Sequence, residues 1–529
     1  MKIKAAILVD NLELSIWQKK TIKKINDVID VKIILNCQNN NPKKKIYKNF
    51  FYYILNFFSI RNKQTKKELL SIKNLKCFSF NTYLEGRYQI IPKKIIEIIH
   101  KNKIKIIIKF GMNIIKVDSS YDISFLSFHH GDPEYYRGRP AGFYEILNNE
   151  RYIGSVVQKI SNDLDYGEIL IKHKFKINTN SYKKTLENIY EKSPLIMIKA
   201  IHNFIKNESI HTKKKGKLYT LPDNYTVIKF IFLLFLNNFS NLFKIIFFQK
   251  KWKVSFALKS NININNLSNQ ISKFELKYIN FNLKNYTFIS DPFFSKINKN
   301  VIRYEAYNKK TNFGEIIEED IKNKSIKKIF SDEHYSYPIS LIYQNEEFIF
   351  PEVAFHSPPF LYKMNSNHKF ILKGFENLRI VDATLFYHDN IYYLFYGLPK
   401  TSLEYLYLSY STNILGPYSA HPMNPIVVDP TSARMGGNII VQKNSIYRMG
   451  QDNSGYYGNG INLYKILKLD INNYYEVFVN NIKFKTFYGP HTIDFNENKI
   501  LLDHYENKFN IFSIINKLKT YNRIKKLSS

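Results

Sequence analysis

The sequence predicts an α/β domain followed by an all-β domain, and two observations support this. Up to about residue 207, short apolar runs alternate with amphipathic helical segments. From about residue 253, short aromatic and β-branched runs recur between Gly, Pro, Asn and Asp, without a long helical segment. The first pattern is typical of a largely parallel sheet with crossover helices. The second is typical of hairpins arranged as a β-propeller.

The strands and helices of the first domain alternate in chain order. Apolar runs such as KAAILVD and IKIIIKF predict strands at 4–10, 31–37, 104–110 and 123–128. Segments such as SIWQKKTIKKIND have helical periodicity and predict helices at 15–27, 93–103 and 181–206. Ligands of such sheets bind at the carboxyl ends of the strands.

A segment rich in charge, Gly and Pro, HTKKKGKLYTLPDN, ends the alternation. We therefore predict a first domain at 1–210, a linker at 211–255 and a second domain at 256–529. The linker contains a helix at 226–249 whose longest unbroken apolar run, Phe230–Leu236, is short of the roughly 18 residues of a spanning helix. Its polar residues fall within one half of the helix. Packing between domains is the favoured interpretation, and association with a membrane surface, helped by the lysines at 250–253, is the alternative.

Three pairs of runs in the second domain predict hairpins around polar turns. They are LIYQNEEFIF, LFYHDNIYYLF and IIVQKNSIYRM. Several such hairpins in this part of the chain indicate small antiparallel sheets repeated around an axis.

The charge and the cysteines narrow the class of protein. The net charge of +34 comes from lysines dispersed along all 529 residues, which indicates solvated surface charge rather than a nucleic-acid interface. Binding of a phosphate-bearing ligand is compatible with it. Cys37 and Cys77 are too few for a disulfide framework, and the amino terminus lacks the apolar region of a signal peptide. We expect a reducing, cytoplasmic compartment.

Candidate catalytic residues lie in two segments of the first domain. His129 directly follows a predicted strand and precedes a Gly-Asp-Pro turn, where α/β enzymes commonly place catalytic side chains. Asp163 and Asp165 lie in a loop, and a carboxylate near a histidine can orient its ring. The alternatives are a structural histidine and an ordinary Asx turn.

The segments SFHHGDPEYYRGRPAGFYEIL and GSVVQKISNDLDYGEIL resemble the signature of the 10-formyltetrahydrofolate-dependent formyltransferases. The resemblance implies a Rossmann-like domain that uses 10-formyltetrahydrofolate as co-substrate. The spacing to the Arg-Gly pair makes His129, rather than His130, the counterpart of the catalytic histidine. Asp165 in LDYG is the counterpart of the catalytic aspartate. The segment KFGMNII resembles the family's pterin-binding segment, which implies folate contacts from Met112, Asn113, Ile114 and Ile115, with Asp163 in the second loop.

One position departs from the family pattern. Ser127 stands where the family has an asparagine whose amide steadies the oxyanion of the tetrahedral intermediate. Loss of such a donor typically lowers the rate by about 10²–10³. His130 is the nearest residue in the sequence able to replace it. Arg137 and Gly138 are expected to shape the loop over the site. Contact with phosphate or carboxylate groups falls to Arg137 or Arg139, and the alternative is that Arg137 ties the loop to the domain.

The second domain also carries a resemblance. Its motifs, among them SDPFF, FPEV, VDATLFYHDNIYYLF and SARMGG, resemble the five-bladed propeller of glucosamine inositolphosphorylceramide transferases, which is related to family-43 and family-32 glycosidases. Those glycosidases use three inward carboxylates. The counterparts implied here are Asp291, Glu352 and Asp382, with Arg434 as a polar contact. Sugar binding without hydrolysis is the favoured alternative.

The combination predicts an enzyme that formylates the amine of an amino sugar or sugar nucleotide in bacterial surface-glycan synthesis. Its propeller would recognise the sugar or a glycan. We expect no metal and no nucleic-acid partner, and peripheral membrane contact is the less favoured possibility. The alternative is a glycan-binding or glycosidase-like protein whose formyltransferase domain is degenerate, as Ser127 would suggest.

Overall fold

The computed structural model describes residues 2–39, 46–70, 75–118, 120–162, 167–212, 214–258, 264, 267, 271, 275–279, 283–484, 487–496, 499–515 and 517–518. The chain divides into two compact units, Met1–Phe239 and Ser240–Ser529.

The N-terminal unit combines helices with a mixed sheet. The helices are α1 (Ile16–Ile25), α2 (Phe50–Ile60), α3 (Lys93–Lys101), α4 (Phe143–Leu147), α5 (Tyr182–Ile205) and α6 (Asn224–Phe247), the last of which continues past the division. The strands are β1 (Lys4–Val9), β2 (Glu13–Ser15), β3 (Asp30–Cys37), β4 (Lys67–Leu69), β5 (Lys76–Phe80), β6 (Tyr83–Glu85), β7 (Tyr88–Ile90), β8 (Ile106–Lys109), β9 (Ser124–His129), β10 (Tyr136–Gly138), β11 (Tyr152–Lys159), β12 (Glu168–Lys176) and β13 (Lys217–Tyr219).

Seven of these strands form one sheet in the order β12-β11-β9-β8-β1-β3-β5. The five strands from β9 to β5 are parallel, and β11 and β12 are antiparallel additions at one edge. The chain leaves β1 towards β3 and later returns to its other side at β8, so the strand order reverses there. Such a reversal opens a crevice at the carboxyl ends of the strands, where α/β proteins bind ligands.

The C-terminal unit is built of strands. They are β14 (Phe248–Leu258), β15 (Lys277–Tyr278), β16 (Tyr286–Phe294), β17 (Val301–Asn308), β18 (Gly314–Asp320), β19 (Ser325–Phe330), β20 (Ser336–Tyr343), β21 (Glu346–Glu352), β22 (Phe360–Lys363), β23 (His368–Ile371), β24 (Val381–His388), β25 (Ile391–Gly397), β26 (Tyr405–Ser411), β27 (Ser419–Ala420), β28 (Val427–Val428), β29 (Arg434–Met435), β30 (Ile440–Gln442), β31 (Ser445–Gln451), β32 (Ile461–Leu469), β33 (Tyr474–Ile482), β34 (Ile493–Phe495) and β35 (Lys499–Phe509).

These strands form five antiparallel sheets, which are the blades of a propeller. Four blades follow the chain, starting at β16, β20, β24 and β29, and the fifth pairs β14 and β15 with β34 and β35. Neighbouring blades are also joined by charge, since the buried Arg303 of β17 donates two hydrogen bonds of 2.8–2.9 Å to Glu347 of β21. A bidentate pair of this kind fixes both distance and orientation.

The predicted fold class is confirmed, with a mixed α/β unit followed by a five-bladed all-β propeller. The three predicted hairpins are β20–β21, β24–β25 and β30–β31. The first strand of the propeller, β14, begins at Phe248, inside the segment that the sequence assigns to the linker.

Candidate functional site

A cavity of about 530 Å³ opens at the carboxyl ends of β8 and β9 in the N-terminal unit. Its lining includes six residues that the sequence assigns to the site, Met112, Asn113, Ile114, Ile115, Ser127 and Gly138. One cavity is therefore bordered by the predicted folate-binding segment, by the serine that differs from the family pattern, and by the glycine of the loop. Its volume lies within the roughly 300–1,000 Å³ usual for small-molecule sites.

The segment that follows β8 is held by its backbone. Gly111 approaches the loop after β1 so closely that a Cβ would lie 2.4 Å from the Asp10 nitrogen. The buried Gln89 accepts a 2.8 Å hydrogen bond from the Asn113 N–H through its side chain, and its own N–H donates to the Ile114 carbonyl at 2.7 Å. These contacts present the segment to the cavity in one conformation.

Ser127 lies between two polar side chains that the sequence analysis did not single out. It is paired in register with Lys109 of β8 on one side and with Gln158 of β11 on the other. All three residues line the cavity. Residues directly opposite each other on adjacent strands share one face of the sheet. Only the strand register brings Gln158 to this place, since it lies 31 positions further along the chain.

Gln158 is buried, and its carbonyl oxygen accepts a 3.3 Å hydrogen bond from the Gly167 N–H. The oxygen is therefore occupied as an acceptor, and the amide NH₂ is the group that this side chain can offer to a ligand as a donor. An amide donor thus lies on the strand beside Ser127, although the residue at position 127 itself has only a hydroxyl.

His129 ends β9 as the sequence predicts, but its ring lies beneath the following loop. Its Nε2 donates to the Tyr136 carbonyl at 2.8 Å, and the ring is buried. A Cβ on Gly131 would lie 2.7 Å from the same Nε2, which shows how closely the loop crosses the ring. His129 does not line the 530 Å³ cavity but the small adjoining recess under this loop. Asp163 and Asp165 lie outside the described residues, so their predicted roles stay predictions.

His130 occupies the opposite face of the sheet from Ser127. Its ring stacks on Phe128 at 5.4 Å and meets Trp17 and Tyr190 edge-on. Its Nδ1 is 3.1 Å from the Ser155 hydroxyl, and burial lowers the pKa of the imidazole to about 3. The structure therefore places His130 as a neutral packing residue and does not bring it to the cavity as the substitute donor that the sequence suggested.

The Arg-Gly-Arg loop is bound to a second segment of the unit. Its strand β10 pairs in parallel with β13, and Arg137 donates a 3.4 Å hydrogen bond to the Gly216 carbonyl. That contact matches the loop-tying role for Arg137. Arg139, the second arginine that the sequence offers for contact with phosphate or carboxylate groups, lines the cavity, and its N–H donates to the Tyr219 carbonyl at 3.2 Å.

The C-terminal unit holds a separate cavity of about 690 Å³ among its blades. Asp291, Glu352 and Arg434 line it, and Asp382 is ion-paired with Arg434 at its wall. The four predicted propeller residues therefore come together. Glu305, which lies in the YEAY run, and His491 line the same cavity, although the sequence analysis did not single out either residue.

A repeated backbone device aims side chains inwards from three blades. Asp291, Tyr337 and Asp382 have φ of 50°, 48° and 46°, and each lies at a shift in the pairing of its blade's first strand. The left-handed region is costly for residues other than glycine and is found where surrounding structure enforces it. A bulge there redirects a side chain from the blade surface.

The carboxyl groups of this cavity differ in protonation. Arg434 donates to Asp382 through Nε and, at 3.1 Å, through Nη2, so the two side chains form a bidentate ion pair. Burial and the neighbouring Asp382 raise the pKa of Glu352 well above its usual range. Burial raises the pKa of Asp291 to about 6, although His491 acts in the opposite direction. One neutral and one charged carboxyl group in a shared cavity are the elements of acid–base chemistry.

His491 links the carboxylates on the other side of the cavity. Its Nδ1 lies 2.6 Å from Asp503 and its Nε2 lies 3.4 Å from Asp291. Burial alone would lower its pKa, but the attraction of the two carboxylates outweighs burial and raises it. The ring packs 4.1 Å from that of Trp252, which also lines the cavity. Aromatic and carboxylate groups side by side suit a polyhydroxylated ligand such as a sugar.

Residues 278–491 match the family model described as glucosamine inositolphosphorylceramide transferase 1, N-terminal. Curated relatives of that name are 37% identical over 160 residues in Oryza sativa and 32% identical over 160 residues in Arabidopsis thaliana. The match covers 28% of this chain and 20–21% of those proteins, so the chain spans about a fifth of the length of the relatives it matches. The predicted propeller resemblance is confirmed, whereas these plant proteins do not support a bacterial setting.

Solved formyltransferases are among the structures similar to this chain. A 4-N formyltransferase from Francisella tularensis is 15% identical with a TM-score of 0.27, covering 41% of this chain and 76% of that one. WlaRD, a sugar 3N-formyl transferase solved with dTDP and 5-N-formyl-THF, is 16% identical with a TM-score of 0.28, covering 45% and 81%. Likenesses this distant carry no argument about this chain.

Proposed function

We propose that the chain is an enzyme of glycan synthesis. Its N-terminal unit transfers a formyl group from 10-formyltetrahydrofolate to the amine of an amino sugar or sugar nucleotide, and its propeller binds a sugar. The observation that carries the proposal is the convergence of Met112–Ile115, Ser127 and Gly138 on one cavity at the carboxyl ends of β8 and β9. We place the reaction in the cytoplasm, where the thiols of the two free cysteines would stay reduced.

In the proposed reaction one carbon–nitrogen bond forms, another breaks, and one proton is transferred. The amine nitrogen of the acceptor bonds to the formyl carbon, the bond from that carbon to N10 of the donor breaks, and the amine proton passes to N10 of the departing tetrahydrofolate. Negative charge develops on the formyl oxygen before the bond to N10 breaks. Donors directed at that oxygen usually supply the largest share of the rate enhancement.

We infer that Gln158 supplies the amide donor that the residue at position 127 lacks. Both side chains lie on the same face of adjacent strands and line the cavity. The hydroxyl of Ser127 donates its single proton to the Phe128 carbonyl at 3.4 Å and would have to leave that weak bond to donate to the formyl oxygen. His129, whose Nε2 donates to the loop, would act by orienting that loop over the reactants.

The test is formyl transfer from 10-formyltetrahydrofolate to a panel of amino-sugar nucleotides, followed by mass spectrometry of the product. A formylated product supports the proposal. Absence of product, together with absence of 5-formyltetrahydrofolate binding in equilibrium dialysis, would remove it.

Two substitutions then test the donor. Gln158→Met keeps the side-chain volume without the amide, and we expect kcat to fall by about 10². Adding Ser127→Asn to that variant should restore much of the loss. Gln64→Met, at another buried glutamine of the same unit, is the matched control and should leave kcat unchanged. Equal kcat for wild type and Gln158→Met would refute the assignment of Gln158 while leaving formyl transfer itself standing.

The propeller cavity favours a second candidate function, cleavage or transfer of a glycosidic bond. The neutral Glu352 could protonate a leaving oxygen while Asp291 acts as the base, because their surroundings separate their protonation states. Release of a chromophore from aryl glycosides, absent from Glu352→Gln, would support it. Sugar binding without release would leave the propeller as a recognition domain.

A further inference from the structure

Helix α6 has its two faces the opposite way round from a helix of an ordinary soluble domain. Asn237 and Asn238, on its polar face, donate to the Thr179 and Asn180 carbonyls of the N-terminal unit at 3.2 and 3.0 Å. Its exposed large apolar residues in this unit are Tyr225, Ile228, Ile231, Phe232, Phe235, Leu236 and Phe239. At 100° per residue they form a stripe about 140° wide, centred opposite Asn237 and with Asn238 just outside one edge. A surface helix normally directs such a stripe at the core.

The attachment of α6 is specific. Val227 and Phe230 are fully buried, and Phe230 stacks on Phe143 at 4.2 Å and meets Tyr182 edge-on. The helix is therefore held on the unit at several points along residues 227–238. These contacts fix the direction in which its apolar stripe faces.

Helix α2 extends the same apolar surface. Its exposed side chains are Phe50, Phe51, Ile54, Phe57 and Phe58. Its amino end is tied to that of α6, because the Phe51 N–H donates to the Asn224 side chain at 3.0 Å and Asn49 donates to the Pro222 carbonyl at 2.8 Å. We call the exposed apolar residues of the two helices the outer face. Soluble monomers rarely expose so many large apolar side chains on two adjoining helices without a partner.

Cations surround this face. Lys48, Lys63, Lys66 and Lys229 are exposed beside the two helices, and Arg61 covers the ring of Phe57 at 3.6 Å. The whole chain carries a net charge of +34. Two copies of a chain so charged repel each other, whereas an anionic surface attracts it. Apolar aromatic side chains bordered by lysine and arginine are typical of helices that lie in the interface of anionic bilayers.

Crossing of the bilayer does not fit the attachment. In length and hydropathy α6 would pass as a spanning helix, with 24 residues and a mean hydropathy of 1.7 in its most apolar part. Residues 227–238 are attached to the N-terminal unit, however, and β14 begins at Phe248. Residues 239–247 are too few to cross alone, because a spanning helix needs about 20 apolar residues.

We propose that the outer face docks the N-terminal unit on the surface of an anionic lipid bilayer, with α2 and α6 lying in the plane of the lipid headgroups. The polar side of α6 stays on the protein and its aromatic stripe enters the boundary of the acyl chains. The proposal does not depend on formyl transfer. Its consequence is that the chain works beside a membrane that α6 does not cross.

Flotation of the full-length protein with vesicles tests this. We expect binding to vesicles of equal parts phosphatidylcholine and phosphatidylserine, and much weaker binding to phosphatidylcholine alone or at high salt. The double variant Phe235→Ser/Phe239→Ser should bind the anionic vesicles about 100-fold more weakly, since each buried phenylalanine contributes substantially to partition. Leu84→Ser, at an exposed apolar residue of the hairpin β6–β7, is the matched control and should bind as wild type does.

The variants are folded proteins if their thermal unfolding matches wild type, as expected for exposed positions. Absence of binding to anionic vesicles would overturn the proposal. So would a dimer of wild type in light scattering that the double variant abolishes while neither protein binds vesicles, because the outer face would then be an interface between copies.

Discussion

Gly138 provides a sharp test of how the loop is held over the first cavity. Its φ is 88°, and a Cβ there would lie 2.0 Å from the Tyr219 carbonyl oxygen. Gly138→Ala therefore incurs two costs. The left-handed conformation costs an alanine about 1 kcal/mol. The clash with backbone also separates β10 from β13, with the loss of the Arg139 N–H bond to Tyr219, worth roughly 1 kcal/mol, and of the neighbouring pairing.

With roughly another 1 kcal/mol for the neighbouring pairing, the loss is about 3 kcal/mol of local stability. Because 1.4 kcal/mol is a factor of ten, amide exchange in peptides covering residues 136–140 and 217–220 should accelerate by about 100-fold in Gly138→Ala. Gly86→Ala is the matched control, since Gly86 has a φ of 60° with nothing within 4 Å of its Cβ position. It should cost about 1 kcal/mol within its own turn and leave those two peptides unchanged.

The variant also reports on ligand binding, because Gly138, Arg139 and Tyr219 line the cavity. We expect 5-formyltetrahydrofolate to bind at least about tenfold more weakly to Gly138→Ala than to Gly86→Ala. Unchanged exchange at 136–140 in Gly138→Ala would refute the steric reasoning. Unchanged ligand affinity despite faster exchange would instead separate the loop from the binding site.

Two further predictions concern the propeller. Arg434→Met leaves the carboxylate of Asp382 buried without its cation, so we expect the free energy of unfolding in urea to fall by roughly 3–5 kcal/mol. The control is Arg379→Met, at an exposed arginine on the same cavity, which should change the free energy of unfolding by less than about 0.5 kcal/mol. Burial and the adjacent Asp291 raise the pKa of Glu305 to about 8, so the folded state keeps a proton that the unfolded state has lost. This contribution to stability is complete below about pH 4.3 and is lost as the pH rises through about 8, by up to roughly 1.4 kcal/mol per unit. Unfolding of Glu305→Gln should therefore depend less on pH over that range, and equal slopes for the two proteins would contradict the assignment.

Much of the fold can be predicted from the local sequence, because strands and helices each have a characteristic hydrophobic periodicity. The runs at 4–10, 104–110 and 123–128 became three strands of the central sheet, and the last of these runs correctly placed His129 at a strand end. Pairing across the sheet is a different matter. Gln158 joins Ser127 only through the register of β9 and β11, which depends on the packing of the whole unit.

The orientation of amphipathic faces was also beyond the sequence. The periodicity of α6 shows that it has a polar and an apolar side, but periodicity is the same whichever side meets the protein. The asparagine contacts with Thr179 and Asn180 decide the matter, and they depend on a turn before α5. Similarly, the motifs named Asp291 and Asp382 as candidates, while the bulges and left-handed φ that turn them inwards arise from pairing with the next strand.

The fifth blade can form only late in the synthesis of the protein. Its two long strands, β14 and β35, pair along their full length from Phe248 with Phe509 to Leu258 with Lys499. Lys253 and its partner Glu506 are 253 positions apart. At about 5–20 residues per second, a ribosome needs roughly 13–50 s to make the intervening chain. During that interval the N-terminal unit can fold on its own. The edge of β14 that later pairs with β35 is unpaired in this period and can pair with other nascent chains. The ring closes only after its last strand has left the ribosome, so chaperones would have their greatest effect on the propeller.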